Sequence, residues 1–253
     1  TDIRGNKIQP WDDAVTMVLT YAEIPFDVIY DREVLEGKLA NYDWLHLHHE
    51  DFTGQYGRFY SSNSGTAWYR DNQRKAEELS KSLGYNKVSQ CKLAVAKEIK
   101  SFVLGGGFMF AMCSATDSYD IALAAEGIDI CASIFDGDPA DPNAQQKLDF
   151  SKTFAFQNFQ LVKDPMVYEF STIDHSAEVT GRPNNQETDY FTLFDFSAKY
   201  DPVPTMLTQN HTRTVKGFMG QTTAFVKSTI KPDVLILGET KPYAEVRYLH
   251  GVF

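Results

Sequence analysis

Three consecutive glycines, a short apolar run, a lone cysteine and then a helix-capping sequence fix the centre of this chain. The stretch reads Gly105-Gly106-Gly107, Phe108–Met112, Cys113, Ser114-Ala115-Thr116-Asp117, and continues to Gly127. The glycines end whatever precedes them, and Phe108–Met112 has the length and composition of a buried parallel strand. Ser114, Thr116 and Asp117 are residues that start helices, Ile121, Ala122, Ala124 and Ala125 follow at helical spacing, and Gly127 is a stop. Strand, sharp turn and helix with a nucleophile at the turn is the arrangement of a nucleophile elbow. Such a turn needs small neighbours two positions away on either side, and here both are alanine, Ala111 and Ala115. The helix directs its positive end at Cys113, which favours the thiolate and predicts a pKa below the free-thiol value of about 8.5. The same pattern also fits a buried cysteine packed as a small hydrophobe.

Around this stretch the sequence alternates short apolar runs with amphipathic ones. A helix opens near Trp11, with Ala14, Val15, Val18, Leu19 and Ala22 on its apolar stripe. Strands are expected at Phe26–Tyr30, Trp44–His49, Phe108–Met112, Asp233–Leu237 and Glu245–His250. Helices are expected at Glu33–Leu39, about Asp71–Leu83 and Ser89–Leu104, with a Gly-, Ser- and Tyr-rich surface loop at Tyr56–Trp68. The fold class this implies is α/β, a parallel sheet wound on both faces by helices. Residues 1–253 read as one domain. From Ile128 to about residue 205 the regularity breaks into an irregular insertion, dense in Phe and Tyr and rich in extra strands. A helix at the start with no strand before it leaves half of the first βαβ unit unaccounted for. The expectation is therefore a piece of a longer chain, with segments or a further domain outside it.

Composition narrows the partners. A net charge of −10 with no basic cluster argues against nucleic acid, and no apolar run reaches the length of a membrane span. Cys91, Cys113 and Cys131 show no zinc spacing, so neither a disulfide framework nor a metal site is expected. Cys91 and Cys131 lie in apolar stretches and should be packed. Asp136, Asp138 and Asp141 form an acidic loop, but without the late acidic ligand of a calcium loop they read as a solvated turn. No cofactor is implied, and the expected partner is a small polar molecule.

In wound parallel sheets, ligands bind beyond the carboxyl ends of the strands. Cys113 stands at one such end, and the strand beginning at Trp44 delivers His46, His48, His49, Glu50 and Asp51 to the same edge. His48 is the candidate base for Cys113, with Glu50 beside it as the second catalytic candidate, while His46, deeper in the strand, reads as an imidazole that hydrogen-bonds a neighbouring loop. Ser114, Asp117, His49 and His211 are the candidate substrate-binding residues, and His250 is a further histidine near a strand end.

With these residues in view, Asp43–Gly57, Gly105–Ala125 and Thr205–Phe225 closely resemble a family of Bacteroidetes proteins commonly labelled asparagine synthetase B. That family resembles the class I glutamine amidotransferase-like superfamily and its trehalose-utilisation (ThuA-like) branch. The resemblance implies a flavodoxin-like sheet with Cys113 in the place of the amidotransferase nucleophile. It also implies a catalytic histidine beyond Phe253, where the family carries a Gly-His-Asp segment. The chain departs from the amidotransferase pattern in its flanking alanines and in lacking a recognisable His-x-Glu. Two functions are expected from different classes. One is a cysteine-dependent hydrolase of amide bonds, glutaminase-like, and the other is a ThuA-like domain that binds a small polar ligand such as a sugar.

Overall fold

A computed structural model describes residues 14–174, 190–193, 214–216, 225–236, 238–241 and 248–250. Its centre is a parallel pair of strands, β1 (Trp44–Leu47) and β2 (Phe108–Ala111), in the register Trp44↔Phe108 through Leu47↔Ala111. The chain between them runs through α3 (Tyr60–Asn63), α4 (Ala67–Ser82) and α5 (Val88–Leu104). Before β1 stand α1 (Ala14–Tyr21) and α2 (Asp31–Leu35), and directly after β2 comes α6 (Ser114–Ala124).

Local chemistry accounts for these boundaries. The Thr66 hydroxyl accepts the Tyr69 N–H and caps α4. The stripe Val88, Cys91, Val95, Ile99 recurs at three- and four-residue spacing and buries one face of α5. At its end Gly106 takes φ +103°, a conformation that turns the chain into β2 and that suits glycine. Leu45 and Leu47 of β1 point into a core shared with Val95, Ala96 and Ile99 of α5 and with Ala115, Tyr119, Ala122 and Leu123 of α6. The other side of α6 contributes Ile121 and Ala124 to a second core of Ala155, Phe156, Phe159, Phe170, Ile173 and Phe225. The helix is therefore buried nearly all round.

The chain is thus mixed α/β with a small parallel sheet, and several expectations need correction. Among the described residues the parallel sheet has two strands, not four. Phe26–Tyr30 forms no strand: Tyr30 is the N-cap of α2, its N–H bonded to the Glu33 carboxylate at 3.0 Å. The strand expected at Trp44–His49 stops at Leu47, because the Glu50 carboxylate takes the His48 N–H at 2.6 Å. Asp233–Ile236 forms no strand: residues 231–234 make a turn in which the Val234 N–H bonds the Lys231 carbonyl, Leu235 is exposed, and Leu237 lies outside the described residues. The loop expected at Tyr56–Trp68 contains a 3-10 turn, α3 and the start of α4.

Within the irregular region expected over about 128–205, the described residues 128–174 carry the short helices α7 (Ser133–Asp136) and α8 (Ala144–Lys147). Of the extra strands, β3 (Tyr190–Leu193) lies inside that span, and β4 (Thr214–Lys216), β5 (Phe225–Val226), β6 (Gly238–Lys241) and β7 (Tyr248–His250) follow it. They form an antiparallel sheet in the order β4-β3-β6-β7-β5. Among the described residues no helix is long and apolar enough to cross a membrane.

Candidate functional site at the strand ends

Cys113 follows β2 after one residue, and the Met112 N–H is bonded to the Leu47 carbonyl at 3.0 Å, which binds the end of β2 to the end of β1. At Cys113 the backbone turns sharply, with φ 53° and ψ −137°, a conformation few non-glycine residues adopt. The turn is held by its own carbonyls. Ala115 N–H bonds Met112, while both the Thr116 N–H and its hydroxyl bond the Cys113 carbonyl, at 3.1 and 2.6 Å. Ala115 is fully buried, which is why a small residue stands there.

The thiol is partly buried, while Cys91 and Cys131 are buried as expected, and all three are free. The expected depression of the Cys113 pKa is not found. Burial pushes the thiol above its ordinary value, and the negative charges of Asp117 and Asp174 add to this. The N–H and hydroxyl of Ser114, at the start of α6, pull the other way and do not prevail.

One helical turn beyond Cys113, Asp117 is buried at 3% exposure. Its pKa is pushed up to about 8, first by burial and then by the negative charges of Glu169 and Asp51, against the N–H groups of Asp117 and Ser118. At neutral pH it is largely a neutral carboxylic acid lying next to the thiol. Tyr168 belongs to the same neighbourhood. Burial raises its pKa, and the charges of Cys113, Glu169, Asp117 and Asp174 raise it further.

His48, His49 and Glu50 occupy the bend after β1. The rings of His48 and His49 stack at 3.7 Å, and the His46 ring lies 5.1 Å from that of Phe110. The Glu50 carboxyl is raised in pKa by burial, countered by backbone N–H bonds and by the charges of Lys92 and His48. Ser118 stitches this bend to α6: its hydroxyl donates to the Glu50 carbonyl at 3.1 Å and accepts the Phe52 N–H at 3.3 Å. The paired strands thus carry the His48–Glu50 bend and the Cys113–Asp117 elbow to the same edge. His211 lies outside the described residues, and His250 ends β7 in the other sheet.

Several neighbours were not legible from the sequence. Arg58, 1% exposed, donates to the carbonyls of Val167 at 3.2 Å and Asp164 at 2.5 Å and to the Gln55 side chain at 2.7 Å. It clamps the segment that brings Tyr168 and Glu169 toward the elbow. Tyr56, Gly57 and Arg58 all have positive φ, and the Asp51 carboxylate steadies them by accepting the Gly57 N–H at 2.8 Å. The only sequence signal for this was an arginine inside a Gly- and Tyr-rich loop.

The acidic loop is less solvated than expected. Lys87 Nζ lies 2.5 Å from Asp129, 3.0 Å from Asp136 and 2.6 Å from Asp138, and Asp141 pairs with Lys147. Donor atoms of Asp129, Cys131 and Asp136 lie within 4.8 Å of one another, with the Lys87 ammonium against both carboxylates. No protein-family model, no curated protein and no solved structure matches the chain, so the elbow and its neighbours are what a functional reading rests on.

Proposed function

We propose that the chain is a cysteine-dependent hydrolase of amide bonds with Cys113 as nucleophile, on a flavodoxin-like sheet of the class I glutamine amidotransferase-like type. The strained Cys113 backbone between a parallel strand and a buried helix carries this reading. Strain of that kind is held at a cost of about 1–3 kcal/mol and is concentrated at functional sites. The parallel pairing of β1 and β2, with α5 and α6 packed on it, supports the proposed sheet type.

In this reading His48 takes the Cys113 proton and the thiolate adds to the substrate carbonyl carbon. The Ser114 N–H stabilises the oxyanion. The C–N bond then breaks as protonated His48 returns its proton to the departing nitrogen, leaving a thioester that water hydrolyses. Glu50 fixes the His48 backbone, and Asp117, as a neutral acid, offers a hydrogen bond to substrate.

A second reading, a ThuA-like domain that binds a small polar ligand such as a sugar, is favoured by one observation: burial raises the thiol pKa. Timed iodoacetamide labelling separates the two. The hydrolase reading expects Cys113 to be alkylated well before Cys91 and Cys131, with a midpoint above the free-thiol value of about 8.5. It also expects ammonia release from a panel of simple amides, abolished by Cys113→Ala. Labelling of Cys113 no faster than the two buried thiols, with no ammonia from any amide, would leave the binding reading.

A further inference from the structure

Three aromatic rings stand beside the elbow with part of their surface open to solvent. Phe59 is half-buried, Trp68, in the first turn of α4, is 42% exposed, and Tyr168 is 44% exposed. Phe59 joins the other two: its ring lies 5.8 Å from that of Trp68 at 72° and 5.6 Å from that of Tyr168 at 51°. The rings are therefore walls of a corner and not one flat platform. Leaving such large apolar surface in water is unfavourable, and here the surrounding chain holds it in place. Gly57 leaves the room that the Phe59 ring fills, since a Cβ there would come within 2.6 Å of it. Arg58 holds the other wall through the Val167 and Asp164 carbonyls.

The charges that act on Tyr168 are negative, those of Cys113, Glu169, Asp117 and Asp174, and Asp117 and Asp174 act on the Cys113 thiol as well. Arg58, the buried cation of this neighbourhood, is turned to the Gln55 side chain and to the two main-chain carbonyls. An anionic group on a ligand meets repulsion in such a corner, and a neutral apolar group gains nothing from the carboxylates. A cation gains twice, because the ring faces attract it through their quadrupoles and the carboxylates through their charge. Exposed rings set at steep angles to one another are also how proteins hold quaternary and alkylated ammonium groups.

We infer that Phe59, Trp68 and Tyr168 form a subsite that seats the alkylammonium group of a ligand reaching Cys113. On the hydrolase reading, on which this part of the inference rests, the ligand is a cationic amide whose carbonyl carbon the thiolate attacks. Tyr168 joins the two halves of the site, since it packs against Phe59 and shares the electrostatic surroundings of the thiol.

Charged thiol reagents test this without relying on turnover. The trimethylammonioethyl, methyl and sulfonatoethyl methanethiosulfonates are compared on Cys113 of the whole chain at low ionic strength, each rate divided by that with 2-mercaptoethanol. The cationic reagent should lead the anionic one by roughly tenfold or more. Trp68→Leu should cut the cationic reagent's lead over the methyl reagent by about threefold with thermal unfolding unchanged, and Trp68→Phe, which keeps a ring face, should retain most of that lead. Ammonia release is then compared between trimethylammonioacetamide and its neutral isostere 3,3-dimethylbutanamide, and the cationic amide should be the faster by roughly tenfold in kcat/KM. An anionic reagent as fast as the cationic one, or a neutral amide turned over as fast as its cationic isostere, would overturn the inference and leave Cys113 as nucleophile. A lead for the cationic reagent that Trp68→Leu reduces, with no ammonia from any amide, would uphold the subsite and overturn the hydrolase reading.

Discussion

The two sides of α6 are held by different means. Toward β1 and α5 the partners are regular elements, whose backbone groups are satisfied within helices and the β1–β2 ladder, so aliphatic burial holds that side together. Toward residues 150–173 the partner is an aromatic-rich chain with little regular structure, and its backbone groups must find side chains. Asp120, buried on α6, accepts the N–H groups of Phe154, Ala155 and Phe156 at 2.8, 2.7 and 2.8 Å. Lys100 and Lys231 donate to the carbonyls of Lys152 and Thr153 at 2.6 and 2.5 Å, and Gln145 serves both Phe159 and Leu161. The regular side distributes its stability over many contacts, whereas the irregular side concentrates it in a few polar residues.

The comparison is broken most directly at Asp120. Asp120→Ala leaves three backbone N–H groups without their acceptor, at roughly 1–3 kcal/mol for each that stays buried, so a loss of about 4 kcal/mol or more is expected in chemical denaturation. Asp120→Asn should recover part of it, because the amide oxygen still accepts from some of the three. If Asp120→Ala costs less than about 1 kcal/mol, the irregular side is held by its aromatic core and the contrast fails. The matching change on the regular side is Ile99→Ala, buried at 1% exposure, where a cavity costs about 2–5 kcal/mol. Its effect should be smaller than that of Asp120→Ala, and Ile99→Val should cost only about 1 kcal/mol. A reversed ranking would show that aliphatic packing is the more concentrated of the two.

The same division explains what the sequence disclosed. β2, the elbow and α5 were legible because their signals are local: an apolar run after Gly105–Gly107, alanines around Cys113, and a stripe at helical spacing. Trp44–His49 was legible as a strand but not where it stops, because its end is set by a side-chain acceptor on Glu50. Phe26–Tyr30 and Asp233–Leu237 have the composition of strands, and neither propensity nor period says whether a partner lies beside them. At the candidate site, His48, Glu50, Cys113 and Asp117 were named from sequence-local pairs. Glu169, Tyr168 and Asp174 arrive from the irregular side, through the long-range clamp of Arg58, and have no local signature. The thiol pKa was misjudged for the same reason: the helix start is visible in the sequence, while burial is not.

A smaller effect sharpens the comparison at Asp117, where α6 meets both sides. Its folded pKa of about 8 lies above the unfolded value of about 3.9, so between these limits the folded chain holds a proton that the unfolded chain has released. By linkage, stability then falls as pH rises from about 4 to about 8 and levels off above that, with a slope of at most about 1.4 kcal/mol per pH unit from this one group. Asp117→Asn removes the titration and keeps the shape. The variant should therefore gain on the parent as pH climbs, by on the order of 1–2 kcal/mol between pH 6 and 8. Urea denaturation of both proteins at several pH values reads this difference directly. Parallel curves would mean that Asp117 is already ionised below pH 6, with a cation from another part of the chain answering its charge, and the neutral acid beside Cys113 would have to be abandoned.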